Sequence, residues 1–200
     1  MSAKPAEAFA VPLQGPTIQP SSRPNGNTYW VVPGKLIAGE YPGDDSEQAT
    51  RTKLRRYLDC GITFFLDLTQ EGEKMPYESI VMDEAAKSGA DVKYARLPIQ
   101  DFGIPTPGRM EEILNAVDGA NATGRAVYVH CRGGIGRTGT TVGCYLVRKG
   151  NTGQDALREV NRLFQNSGRS RESYRSPETD AQEAFVRGWH EQGRNTIMIY

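Results

Sequence analysis

Residues 130–140 read His-Cys-Arg-Gly-Gly-Ile-Gly-Arg-Thr-Gly-Thr, and the chain around them predicts a strand on one side and a helix on the other. Residues 126–129 are β-branched and aromatic, which is typical of a buried strand, and the chain from Thr138 onward favours a helix. A glycine-rich loop between them places its backbone N–H groups at a helix N-terminus. There, unpaired donors and the positive end of the helix dipole favour an anion. The sequence therefore predicts a strand–loop–helix unit that binds an anion.

The residue types within this loop fit a phosphate-binding loop with a nucleophile at its base. Cys131 would lie beneath the helix N-terminus, where a thiol ionises readily and becomes nucleophilic. Glycines let the backbone approach a ligand, and Arg137 carries a planar fork that binds two phosphoryl oxygens. The expected phosphate-binding residues are Arg132, Gly133, Gly134, Ile135, Gly136 and Arg137. The loop therefore predicts hydrolysis of a phosphate ester.

Two further side chains of the loop receive supporting roles. The hydroxyl of Thr138 can donate to the cysteine sulfur as phosphate leaves. His130 is expected to orient the loop through ring hydrogen bonds, because a thiolate does not need a base to remove its proton.

The spacing Cys131-x5-Arg137-Thr138, flanked by His130 and Gly139, resembles the active-site loop of the protein tyrosine and dual-specificity phosphatases. This resemblance implies a phosphoric monoester hydrolase that works through a phosphocysteine intermediate and needs no metal or cofactor. It also implies an α/β fold and a general acid on a loop roughly 30 residues before the cysteine.

Asp101 stands at that distance and is the expected general acid. It follows a strand-like segment and opens Asp-Phe-Gly-Ile-Pro-Thr-Pro, whose glycine and prolines suit a mobile loop. It would protonate the leaving oxygen and then accept a proton from the hydrolytic water. A purely turn-forming role for Asp101, or Asp67 as the acid instead, stays open.

Residues 176–186 resemble the opening of the C-terminal helix in many phosphatases of this type. That resemblance alone implies that Gln182 positions water in the second step. Read locally, Ser176 is an N-cap and Pro177 the first residue of a helix that runs to about Gln192. Earlier in the chain, Arg169, Arg171 and Arg175 form either a solvated connector or a contact for a second phosphate or an acidic substrate patch.

Other interpretations of the loop fit less well. A dinucleotide-binding turn needs an acidic residue at the end of a second strand about 20 positions on. Glu159 stands near that distance, but it lies in a helical pattern and not at the end of a strand. A nucleotide-triphosphate loop would end in Gly-Lys-Ser/Thr, and this loop lacks that ending. A rhodanese-like sulfurtransferase, an inactive phosphate-binding module and an inositol-phosphate phosphatase remain alternatives, although Ile135 stands where an inositide enzyme would carry a second base. A shallow cleft that accepts phosphotyrosine, phosphoserine and phosphothreonine is preferred.

Composition and patterning predict one catalytic domain at residues 28–200 behind a flexible, proline-containing tail at residues 1–27. Alternating strands and helices predict a mostly parallel sheet with helices on both faces. Twenty-four basic and 24 acidic residues give no electrostatic case for nucleic acid or membrane binding. Three cysteines favour a reducing, cytoplasmic location. The expected partners are a phosphorylated protein or a small phosphoester, bound by a monomer.

Overall fold

The computed structural model describes residues 22–191, in which five strands form one sheet. The strands are β1 (Thr28–Val32), β2 (Leu36–Gly39), β3 (Ile62–Asp67), β4 (Lys93–Arg96) and β5 (Ala126–His130). Their order across the sheet is β1-β2-β5-β3-β4. Only β1 and β2 pair antiparallel, and the other neighbours are parallel. The mostly parallel sheet predicted from the sequence is confirmed.

Helices cover both faces of this sheet, as predicted. They are α1 (Glu47–Asp59), α2 (Glu78–Ser88), α3 (Pro107–Ala122), α4 (Gly136–Arg148), α5 (Gly153–Phe164) and α6 (Asp180–Arg187), with a short 3₁₀ helix at Gly168–Arg171. Successive side chains of β5 point to opposite faces. Tyr128 packs with α1 and α2, whereas Val127 and Val129 pack with the other four helices. Of the helices within residues 22–191, none is long and apolar enough to cross a membrane.

The carboxyl ends of β3 and β5 lie side by side in the middle of the sheet, and Asp67 pairs with His130 there. Leu68 N–H donates to His130 O at 2.9 Å, and Ile99 N–H donates to Leu68 O at 3.0 Å. The loops that follow β3, β4 and β5 are therefore joined at one edge. This edge is where parallel sheets commonly bind ligands.

The predicted tail falls largely outside the described residues, since residues 1–21 are not among them. Residues 22–27 are described and bind the domain. Arg23 Nη1 donates to Thr28 O and Asn166 O, both at 2.7 Å, and Asn25 Nδ2 donates to Tyr57 Oη at 3.1 Å. A flexible tail remains a prediction for the first 21 residues.

The predicted start of the last helix is wrong. Ser176 is not its N-cap and Pro177 is not its first residue, because α6 begins at Asp180 and the Ser176–Pro177 bond is cis. Thr179 caps the helix instead. Its hydroxyl accepts from Gln182 N–H, and the Gln182 side chain accepts from Thr179 N–H. This reciprocal capping box satisfies two helix-end donors at once, which a cap at Ser176 would not.

Candidate active site

The loop between β5 and α4 presents backbone donors to a cavity of about 260 Å³. Helix α4 starts at Gly136, and no side chain caps it. Within residues 22–191, the N–H groups of residues 133–138 donate no hydrogen bond. Gly134 has a φ of +72°, and a Cβ there would lie 2.6 Å from Glu40 N, so this turn requires glycine. Free N–H groups at a helix N-terminus form an anion-binding concavity.

Cys131 and Arg137 line this same cavity. Cys131 is the first residue after β5 and is 3% exposed, and Arg137 lies in the first turn of α4. Burial alone would lower the pKa of Arg137, but hydrogen bonds to Glu73 and the negative charges of Cys131, Glu73 and Asp101 raise it. The guanidinium of Arg137 and the thiol of Cys131 thus line the same cavity, and the guanidinium stays positively charged.

Glu73 holds the guanidinium and was not identified from the sequence. Arg137 Nη1 donates to Glu73 Oε2 at 2.8 Å, and Nη2 donates to Glu73 Oε1 at 2.6 Å. Nη1 also donates to Ile99 O at 3.2 Å. Glu73 lies 64 positions before the arginine, in the polar loop after β3. No local pattern in that loop marks one acidic residue over its neighbours.

Asp101, the predicted general acid, meets Arg137 at the cavity. Its Oδ1 lies 2.9 Å from Arg137 Nη2, and its side chain is 40% exposed. The same oxygen accepts Phe102 N–H at 3.2 Å, and Phe102 adopts a left-handed φ of 57°. This backbone conformation is uncommon for a bulky residue, and both Asp101 and the exposed Phe102 line the cavity.

Asp67, the alternative acid, is engaged elsewhere. It is fully buried, and it accepts hydrogen bonds from Thr69 N–H, Thr69 Oγ1 and Tyr94 Oη at 2.6 to 2.8 Å. Burial would raise the pKa of Asp67, but the nearby His130 ring and these hydrogen bonds together lower it. Asp67 does not line the cavity formed by the described residues.

His130 is buried and held at both ring nitrogens. Nδ1 lies 3.2 Å from Cys131 O, and Nε2 lies 2.7 Å from Tyr77 Oη. A carbonyl only accepts, so Nδ1 carries the proton and Nε2 accepts from Tyr77. Burial lowers the pKa of His130, although nearby Asp67 raises it. The ring therefore contacts the start of the loop at Cys131 O, and its role in orienting the loop stays a prediction; Tyr77 was not foreseen.

Thr138 is fully buried, and its Oγ1 makes no hydrogen bond within the described part of the chain. Its predicted donation to the cysteine sulfur stays a prediction. Such an unpaired buried hydroxyl is uncommon, and this one lies in the first turn of α4, directly after the anion-binding loop.

Gln182 is fully buried behind Gly136 and joins two loops. Its Oε1 accepts from Glu178 N–H at 3.1 Å and Thr179 N–H at 3.2 Å, and its Nε2 donates to Gly103 O at 3.1 Å. It thus ties the Asp101 loop to the start of α6. Its role with water stays a prediction.

The other side of the loop rests on the segment before α6. Ser176 Oγ donates to Ile135 O at 2.7 Å. Arg169 Nε donates to Gly133 O at 3.2 Å, and both Arg169 and Arg132 line the cavity. Arg175 instead pairs with carboxylates of α6. Of the predicted arginine connector, the structure brings only Arg169 to the cavity wall.

Solved phosphatase structures share this architecture. The active form of Tk-PTP superposes with a TM-score of 0.60 at 25% identity, covering 80% of this chain and 93% of that one. TpbA of P. aeruginosa gives 0.60 at 17% identity, covering 85% and 89%. At that lower identity the likeness establishes the fold alone.

Curated relatives are longer proteins. Protein 067L of Invertebrate iridescent virus 3, named as a tyrosine phosphatase, is 33% identical over 126 residues, which is 58% of this chain and 44% of that protein. The dual specificity protein phosphatase CDC14AB of Danio rerio is 28% identical over 131 residues, 62% of this chain and 20% of that protein. This chain thus spans less than half the length of these relatives.

The family model described as PTP-SAK, Swiss Army Knife protein, DSP-PTPase phosphatase domain, matches residues 25–186. The match begins before β1, ends within α6 and includes every residue that lines the cavity. By this match, and by the loop that carries Cys131 and Arg137, the chain belongs to the family of DSP-PTPase phosphatase domains.

Proposed function

We propose that this chain is a metal-independent phosphatase that hydrolyses phosphate monoesters through a phosphocysteine on Cys131. The observation that carries the proposal is the convergence of Cys131, Arg137, Asp101 and the free N–H groups of residues 133–138 on one cavity. A nucleophile, a fixed cation, a proton donor and an oxyanion cradle are the components this chemistry needs.

In the first step, the N–H groups and Arg137 bind the phosphoryl oxygens. Glu73 and Ile99 O occupy Nη1, whereas Nε makes no hydrogen bond within the described residues. A phosphoryl group that takes Nε and Nη2 side by side displaces Asp101 from Nη2.

The sulfur of Cys131 then attacks phosphorus as a thiolate. The S–P bond forms, the P–O bond to the leaving group breaks, and Asp101 gives its proton to the leaving oxygen. Thr138 stabilises the thiolate when water later releases phosphate. His130 keeps the loop in place throughout, through its bonds to Cys131 O and Tyr77.

The preferred substrates are phosphotyrosine and, in a shallow cleft, phosphoserine and phosphothreonine. Phe102 and Ile104 are exposed beside Asp101 and offer an apolar rim for the substrate side chain. Glu172 and Glu178 line the cavity together with Arg132 and Arg169, which disfavours a polyanion such as an inositol polyphosphate. One solved structure of this fold is that of the PP-IP phosphatase SIW14 of S. cerevisiae, so inositol phosphates belong in the substrate panel.

We infer a monomer that works on a phosphorylated protein or small phosphoester in a reducing, cytoplasmic environment. The free thiols support the reducing environment. Cys60, Cys131 and Cys144 are all free, and the proposed reaction needs Cys131 reduced.

The direct test is hydrolysis of p-nitrophenyl phosphate in the presence of EDTA. Wild type and Cys60→Ser are expected to turn over equally, because Cys60 lies outside the cavity. Cys131→Ser is expected to lose about 1,000-fold or more. Equal rates for Cys131→Ser and wild type would overturn the proposal, and thiocyanate release from thiosulfate and cyanide would favour a sulfurtransferase.

A further inference from the structure

Glu178 is an unpaired carboxylate on the cavity wall. It lies just before α6, and its Oε2 is 3.1 Å from the position a Cβ on Gly136 would take, so it lies against the start of α4. The other two carboxylates of the wall are paired, Asp101 with Arg137 and Glu172 with Arg169. Within residues 22–191, the oxygens of the Glu178 side chain make no hydrogen bond or ion pair. Its lone pairs are open to a ligand in the cavity.

The surroundings of Glu178 favour proton acceptance. Burial and the charge of Asp101 raise the pKa of Glu178, and Arg137 opposes them. The remaining charged or titratable groups of the cavity wall are Cys131, Arg132, Arg169 and Glu172. A carboxylate with a raised pKa accepts a proton near neutral pH more readily than one with the ordinary value.

Gln182 is less suited to hold a reacting water. Its oxygen already accepts two backbone N–H groups, its nitrogen donates to Gly103 O, and it does not line the cavity formed by the described residues. One of the groups it binds is the backbone N–H of Glu178. The amide therefore fixes the backbone of Glu178, and the glutamate side chain is the one that reaches the cavity.

We propose that Glu178 holds and deprotonates the water that hydrolyses the phosphocysteine, an inference that rests on the proposed function. In this step a water oxygen forms a bond to phosphorus, the P–S bond breaks, and its electron pair returns to Cys131 as a thiolate. One water proton passes to Glu178 and the other stays on the released phosphate. Asp101, which the sequence suggested for this proton, acts on the leaving group in the first step.

The test separates the two steps in pre-steady-state hydrolysis of p-nitrophenyl phosphate. In the Glu178→Gln variant, Cys131 is expected to become phosphorylated at the wild-type rate. This step releases a burst of about one p-nitrophenol per enzyme. Its steady-state turnover is expected to fall by about 100-fold. Intact-mass analysis should then find one phosphoryl group on the protein during turnover.

Glu183→Gln is the matched control, because Glu183 lies on α6 and pairs with Arg175 away from the cavity. It is expected to behave as wild type. Glu178→Ala supplies a second variant, in which added formate should restore turnover by replacing the lost carboxylate.

Three outcomes would overturn the inference. The first is equal turnover of Glu178→Gln and the control. The second is a phosphorylation step of Glu178→Gln slowed as much as its turnover, and the third is no effect of formate on Glu178→Ala. Failure of the proposed function looks different, since the wild type itself would then form no phosphocysteine.

Discussion

Replacing Glu73 with Gln tests whether the carboxylate behind Arg137 stabilises the site. Glu73 accepts two charge-assisted hydrogen bonds, at 2.8 and 2.6 Å, from a guanidinium that is 1% exposed. Each such bond contributes about 1.5 to 3 kcal/mol. Glutamine keeps one accepting oxygen but turns an NH₂ group toward the second guanidinium nitrogen. Arg137 also keeps Asp101 and Ile99 O.

The expected loss is therefore close to one charge-assisted bond, about 2 kcal/mol in the free energy of unfolding. For a chain of this length, that lowers Tm by about 4 to 8 °C. Thermal unfolding of Glu73→Gln beside Glu71→Gln measures it. Glu71 is an exposed residue of the same loop, and its change is expected to stay within about 0.5 kcal/mol.

The pH dependence provides a second readout. Burial alone would raise the pKa of Glu73, but hydrogen bonds from Arg137 and Gln70 N–H and the charges of Arg137 and Arg132 lower it below 4.5. A lowered carboxyl pKa contributes stability that is complete above the unfolded value and is lost as pH falls through the folded value. The wild type should thus exceed Glu73→Gln by a constant amount above about pH 5, and the difference should shrink below pH 4.5. Equal Tm values for the two glutamine variants at neutral pH would refute this reasoning. So would a stability difference between wild type and Glu73→Gln that stays the same as the pH falls below 4.5.

Two further substitutions test the acid and the loop. Asp101→Asn should lower kcat by about 100-fold for phenyl phosphate and by less for p-nitrophenyl phosphate, whose leaving group needs less protonation; equal losses on both substrates would count against a general acid. Gly134→Ala should destabilise the fold and abolish stabilisation by vanadate, because a Cβ would lie 2.6 Å from Glu40 N. Gly124 shares the positive φ, but a Cβ there would meet nothing within 4 Å, so Gly124→Ala should lower the free energy of unfolding by only about 1 kcal/mol. Equal Tm shifts for the two alanine variants would contradict a steric cause.

Local patterns predicted the parts of the fold that local forces decide. β-Branched and aromatic content marked residues 126–129, and the free helix start at Gly136 follows from the glycines before it. The parallel sheet with helices on both faces followed from the alternation of the two periodicities. The last helix began later than predicted because two residues, Thr179 and Gln182, cap each other, and a capping box competes well with a single serine cap.

Contacts between distant segments were harder to foresee. The ion pair of Glu73 with Arg137 and the hydrogen bond of Tyr77 with His130 join loops that meet only once β3 and β5 are paired. No spacing along the chain encodes that meeting. Asp101 was found because a family resemblance supplied its distance from the cysteine, and the structure places it 2.9 Å from Arg137.

The bond from Gln182 to Gly103 O has a practical consequence for anyone who shortens or fuses this protein. A boundary placed at the end of α5 would keep all five strands, but it would remove α6, whose Val186 is fully buried in the core beside the sheet. It would also remove the hydrogen bond that joins α6 to the acid loop, together with the Ser176 bond behind the phosphate loop. A protein truncated there is expected to lose core packing and the support of both active-site loops together.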